Sequence, residues 1–200
     1  MKRGFYTIMS AQFFSSLADN AMFIAAIELL RTSGAPGWQR AALVPMFALF
    51  YVILAPFVGA FADALPKGRV MFISNAIKIL GCLMMLFGSH PLFAYAIVGL
   101  GAAAYSPAKY GILTELLPAS QLVKANGWIE GLTIASIILG VLLGGQLVGL
   151  TVSRWLLSFE VPFLDTAAQA AIFLLIFVYA IAAWFNTRIP HTGVEMRRMP

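Results

Sequence analysis

The chain has 200 residues, of which 61% are hydrophobic and 10% charged, and its mean hydropathy is +0.89. A soluble domain is roughly 45–50% apolar and about 25% charged, so this composition excludes a soluble enzyme, a disordered chain and a nucleic-acid-binding module. The net charge of +5 does not reopen the last of these. Its basic residues lie scattered between apolar runs, not along a stripe with interleaved aromatics.

Six apolar stretches approach the ~20 residues that a helix needs to cross about 30 Å of hydrocarbon. They lie at about 5–30, 41–62, 70–88, 91–109, 127–150 and 167–186. The first holds Asp19, Asn20 and, near its end, Glu28; Lys2 and Arg3 precede it. No small-residue cleavage site follows a short apolar core, so it reads as a retained span and not a leader. The second is free of charge and contains Pro45 and Pro56. The third carries Lys78, with Asn75 three residues earlier on the same helix face. The fourth runs uncharged to Lys109, the fifth has Glu130 near its start, and the sixth ends at about Asn186. Residues 113–126 and 151–166 are the longest pieces expected outside hydrocarbon. The second of them reads as a short amphipathic element through Arg154, Trp155, Phe159 and Pro162.

Counting Lys and Arg by side gives the orientation. Lys2, Arg3, Lys67, Arg69, Lys109, Lys124, Arg188, Arg197 and Arg198 fall on one side. Arg31, Arg40 and Arg154 fall on the other. Basic residues concentrate on the cytoplasmic face, so both termini are expected inside. The lone cysteine, Cys82, excludes an intrachain disulfide and a thiolate metal site. No cofactor or metal is called for.

Ionisable groups inside hydrocarbon are rare and costly, so each is a candidate for function. Asp19 falls about 21 Å along the first span, just past the midplane, and must face either a cavity or a partner on another helix. Lys78 and Glu130 pose the same alternative, either an interhelical polar network with Asn75 or a cavity wall. Tyr105 and Lys109, spaced i, i+4, point one way. A cation beside an aromatic there suits a phosphate-bearing lipid or an anionic solute, or else a lysine that snorkels to the headgroups. Gly140, Gly144, Gly145 and Gly149 have the spacing of a close helix-packing stripe. His90 and His191 lie outside the spans with no matching nucleophile or orienting group, so no enzyme site is expected.

Residues 59–69 read GAFADALPKGR. The segment resembles the inner-loop motif of the major facilitator superfamily, with Ala64 and Pro66 where an arginine and a glycine are usual. That resemblance implies a conformational latch of Gly59, Asp63, Lys67, Gly68 and Arg69. Three further segments resemble the bacterial lysophospholipid transporters of that superfamily. They are AQF with ADNA at residues 11–13 and 18–21, AYSPAKYG at 104–111, and LVKANG at 122–127 leading to Glu130.

The resemblance implies an all-α membrane protein in which six transmembrane helices form one bundle over residues 1–190. It would be built from two three-helix inverted repeats, with residues 191–200 starting a cytoplasmic inter-bundle loop. It further implies movement of lysophosphatidylethanolamine-type lipids from the outer to the inner leaflet of the bacterial inner membrane, without ATP. Asp19, Asn20, Tyr105 and Lys109 would bind or gate the headgroup. The implied partners are a carboxy-terminal six-helix bundle, membrane lipids and a lysolipid acyltransferase. A proton-coupled exporter of small amphiphiles is the competing reading, although the fourth span has no arginine. A non-transporting membrane scaffold is the third.

Overall fold

The computed structural model describes residues 3–162 and 164–189. Their regular structure is helical throughout: α1 (Arg3–Thr32), α2 (Gly37–Ile53), α3 (Ala55–Ala64), α4 (Lys67–Leu86), α5 (Pro91–Leu116), α6 (Ala119–Leu147), α7 (Leu150–Leu157) and α8 (Ala167–Thr187). Residues 191–200, expected to start the inter-bundle loop, lie outside the described residues. Five helices are long and apolar enough to cross a membrane, and the bent pair α2–α3 makes a sixth crossing if taken as one span. The end of the bundle where α1 starts is called proximal here, the opposite end distal.

The sequence boundaries shift in three places, each for a physical reason. The second span, expected as one helix over 41–62, bends by 65° between α2 and α3. Pro56 lacks an N–H and its ring excludes the carbonyl four residues back. The helix therefore stops, and restarts where Phe57 and Val58 donate to the Leu54 carbonyl at 2.9 and 3.0 Å. Pro107 lies inside α5, which continues through it.

The expected 113–126 loop is the second change. α5 runs on to Leu116 and α6 starts at Ala119, leaving only two residues between them. The polar side chains read as loop there occupy helix ends. Third, the 151–166 segment contains the end of the short helix α7 that starts at Leu150, and its other described residues, Phe159 and Pro162 among them, are irregular. Thr166 caps α8 in a reciprocal box: its hydroxyl accepts from the Gln169 N–H, and the Gln169 side chain accepts from the Thr166 N–H. At two distal turns the chain passes through left-handed backbone at Gly34 and Gly88 (φ 74° and 106°), where a side chain would be strained.

Helix packing has an internal symmetry. α1 packs on α6 and α8, α5 packs on α2 and α4, and α4 packs on α8. Numbering the spans one to six, with α2–α3 as the second, this pattern survives exchanging one with four, two with five and three with six. Exchanged spans run in opposite directions, as in two inverted three-helix repeats. Two apolar clusters form the core. A distal one is built around Met22, Leu43, Val98 and Leu175, and a proximal one around Phe5, Met71, Ile112 and Ile129. Between them lies a buried polar layer.

Candidate substrate cavity and its polar floor

That polar layer begins with sequence spacing. Ser15 and Asp19 are four residues apart on α1, Asn75 and Lys78 three apart on α4, and Tyr179 and Asn186 seven apart on α8, so each pair shares a helix face. Packing brings the three faces together. The Lys78 ammonium donates to Asp19 Oδ2 at 2.9 Å and to Ser15 Oγ at 2.8 Å. The Tyr179 hydroxyl donates to Asp19 Oδ1 at 2.6 Å. Ser15 donates in turn to Asn75 Oδ1 at 2.7 Å, and the side-chain amides of Asn75 and Asn186 meet at 2.5 Å. The Lys78 ammonium also lies over the rings of Tyr105 and Tyr179, 5.2 and 5.8 Å from their centroids. Two charges, two amides and two hydroxyls are thus bonded to one another in this layer.

Above this layer is a cavity of about 520 Å³ enclosed by α1, α2, α4, α5 and α6. Its chemistry divides along the bundle axis. Gln12, Asp19, Lys78, Tyr105, Lys109 and Thr133 line the proximal half, while Phe23, Val44, Phe47, Tyr95, Ile137 and Val141 line the distal half. The mouth opens between α2 and α6, where the lining residues Val44 and Ile137 are 61% and 43% exposed. Gln12 fixes the α1–α6 wall by donating to Thr133 at 3.0 Å. Among the described residues no three His, Cys, Asp or Glu side chains group as metal ligands.

The residues singled out from sequence divide between two places. Asp19, Asn20, Tyr105, Lys109 and Lys78 all border the cavity. Asn20 turns its amide back to the Ser16 carbonyl of its own helix at 2.8 Å. Lys78 and Tyr179 each donate to one oxygen of Asp19, so the carboxylate expected to bind or gate the headgroup is anchored in the polar layer while it borders the cavity. The expected cation–aromatic pair of Lys109 and Tyr105 is replaced by one between Lys109 and its sequence neighbour Tyr110. The Lys109 ammonium lies 4.6 Å from the Tyr110 ring centroid, while Tyr105 is turned to Lys78. Glu130, expected with Asn75 and Lys78, is not in that network. α6 projects it on an exposed face, where its carboxylate accepts a hydrogen bond from the Tyr110 hydroxyl. Sequence reasoning passed over Ser15, Tyr179 and Asn186, although their helical spacing to one another or to Asp19 was a usable signal.

The inner-loop motif builds a second cluster, at the proximal end. Lys67 is 5% exposed. Its ammonium donates to the Ala62 carbonyl at 2.7 Å and lies 3.5 Å from Asp63 and 3.8 Å from Glu115 of α5. It therefore joins the C-terminal end of α3, where cations are favoured, to the end of α5. A Cβ at Gly111 would sit 3.0 Å from Lys67 Cε, so the lysine stem needs that glycine. Gly68 lets α4 approach the Asn186 carbonyl, 3.3 Å from where a Cβ would lie. Arg69 is exposed and a Cβ at Gly59 would meet open space, so neither joins this cluster. Replacing Lys67 with methionine keeps the stem and removes the donor. It should lower stability by about 1–3 kcal/mol, read as a fall in melting temperature of the purified protein in detergent.

A model of the Major Facilitator Superfamily matches residues 8–196. The chain belongs to this superfamily. It is a multi-pass membrane protein whose affiliation is with transporters and not with enzymes. The chain is similar to the lysophospholipid transporter LplT of Yersinia enterocolitica, at 44% identity over 95% of this chain and 43% of that protein. It is 43% identical to the lysophospholipid transporter LplT of Yersinia pestis (strain Pestoides F), over the same shares. This major facilitator chain thus spans less than half the length of the curated relatives it matches.

Proposed function

We propose that this chain forms the amino-terminal six-span bundle of a lysophospholipid transporter in the bacterial inner membrane, with both termini cytoplasmic. A second six-helix bundle would close the cavity mouth between α2 and α6, and residues 191–200 would begin the connection to it. Lysophosphatidylethanolamine-type lipids would enter sideways from the outer leaflet and leave to the inner one as the bundles rock, without ATP. A lysolipid acyltransferase there would restore the missing chain.

The observation that carries the reading is the division of the cavity into a charged proximal half and an apolar distal half. A lipid of the cytoplasmic leaflet has its headgroup on that proximal side and its acyl chain pointing away from it. Lys109, at the polar end, offers a desolvated cation to the phosphate. Asp19 and Lys78 supply the polar floor that holds α1, α4 and α8 in register beneath the headgroup. The relatives named as lysophospholipid transporters support the same substrate class.

The test is leaflet movement of a labelled lysophosphatidylethanolamine in spheroplasts carrying the native gene product. Uptake should persist when the proton gradient is collapsed. Lys109→Ala should lower it about tenfold, the equivalent of roughly 1.4 kcal/mol of lost binding, at normal expression. Uptake that vanishes with the gradient would favour a proton-coupled exporter, and uptake indifferent to Lys109 would overturn the headgroup role.

A further inference from the structure

Next to the proximal end of the cavity, outside its lining and on an exposed face of α6, lies a carboxylate that the polar floor does not use. Glu130 stands eleven residues into α6, about 17 Å from its start, a depth at which a charge is costly unless it has a task. Thr133, one turn further on the same face, lines the cavity. Tyr110 stands between Glu130 and Lys109: its hydroxyl bonds Glu130 Oε1, and its ring lies under the Lys109 ammonium. Glu130 Oε2 accepts no hydrogen bond among the described residues, whereas each oxygen of Asp19 accepts one.

An anion and a cation thus flank one tyrosine at the polar end of an amphipathic cavity, and the anion has a free oxygen. We propose that Glu130 is the specificity-determining residue for zwitterionic headgroups, accepting the substrate's ammonium while Lys109 holds its phosphate. This inference rests on the lysophospholipid reading above and assigns the amine contact to Glu130, while Asp19 stays bonded to Lys78 and Tyr179. An ethanolamine headgroup carries both charges and satisfies both residues. A glycerol headgroup carries only the phosphate and leaves Glu130 on Tyr110.

The experiment compares uptake of lysophosphatidylethanolamine and lysophosphatidylglycerol by the native gene product and by its Glu130→Gln and Tyr110→Phe variants. Glu130→Gln should lower ethanolamine-lipid uptake about tenfold and leave glycerol-lipid uptake within about twofold of wild type, which also shows that the variant is folded. Tyr110→Phe, which keeps the carboxylate, should retain the wild-type ratio between the two lipids. Equal loss of both lipids in Glu130→Gln overturns the proposal and points to a structural role, such as pairing with a cation of the second bundle. No change in either lipid overturns it too, as does loss of the ratio in Tyr110→Phe. In these three outcomes transport by wild type leaves the lysophospholipid reading standing. If wild type moves neither lipid, both readings fall together.

Discussion

Lys78→Ala should destabilise the bundle by about 3–5 kcal/mol, the cost of leaving a buried charge without its partner. The Lys78 side chain is 3% exposed and that of Asp19 16%. Removing the ammonium strips Asp19 Oδ2 of its donor and Ser15 of one of its partners. It also empties the space between the rings of Tyr105 and Tyr179. Tyr179 alone then stabilises the Asp19 carboxylate. Asp19→Leu combined with Lys78→Met should recover most of the loss, because apolar groups of similar volume replace buried ion pairs at little net cost. The measurement is a double-mutant cycle on unfolding of the purified protein in detergent. A coupling energy near zero would mean that the two charges are solvated independently. Such a result would remove the polar floor from the account.

The spans were legible in the sequence because hydrocarbon thickness imposes a length that hydropathy reads directly. Their ends were not. α5 and α6 continue through Lys109, Glu115 and Lys124 because helical hydrogen bonding does not stop where apolarity does, whereas a hydropathy reading stops at the first charge. The break at Leu54 was written in Pro56, but an uninterrupted apolar run concealed it. In the polar layer, the faces Ser15–Asp19, Asn75–Lys78 and Tyr179–Asn186 could each be read from spacing alone. Which faces meet depends on helix rotation and crossing, set by packing between segments distant in the chain. The same reasoning explains Glu130. Its depth marked it as costly, but only the rotation of α6 separates it from Lys78 and turns it to Tyr110.

The tightest helix contact yields the second large expected effect. A Cβ added to Gly99 of α5 would fall on the Phe47 carbonyl of α2, a backbone atom that no rotamer change can move aside. Gly99→Leu must therefore force α2 away from α5. Overpacking of this kind typically costs about 1–3 kcal/mol, and a backbone obstacle puts this site at the upper end. α2 also carries Val44, Phe47 and Tyr51 into the cavity, so the displacement should reduce transport as well as melting temperature. Gly145→Ala is the matched control. Its Cβ would meet nothing, and its effect should stay within about 0.5 kcal/mol. The internal symmetry extends the prediction. The contact of the fourth span with the second corresponds to that of the first with the fifth, where Cβ atoms at Gly140 and Gly144 would lie 2.6 Å from the Leu17 carbonyl and 2.8 Å from Ile24 Cβ. Gly140→Leu should therefore match Gly99→Leu. Both substitutions wedge a helix off the cavity wall from equivalent sides, and equal losses would show that the two three-helix halves bear the cavity alike. If Gly99→Leu and Gly145→Ala melted at the same temperature, close backbone approach would not be what seats α2 against α5.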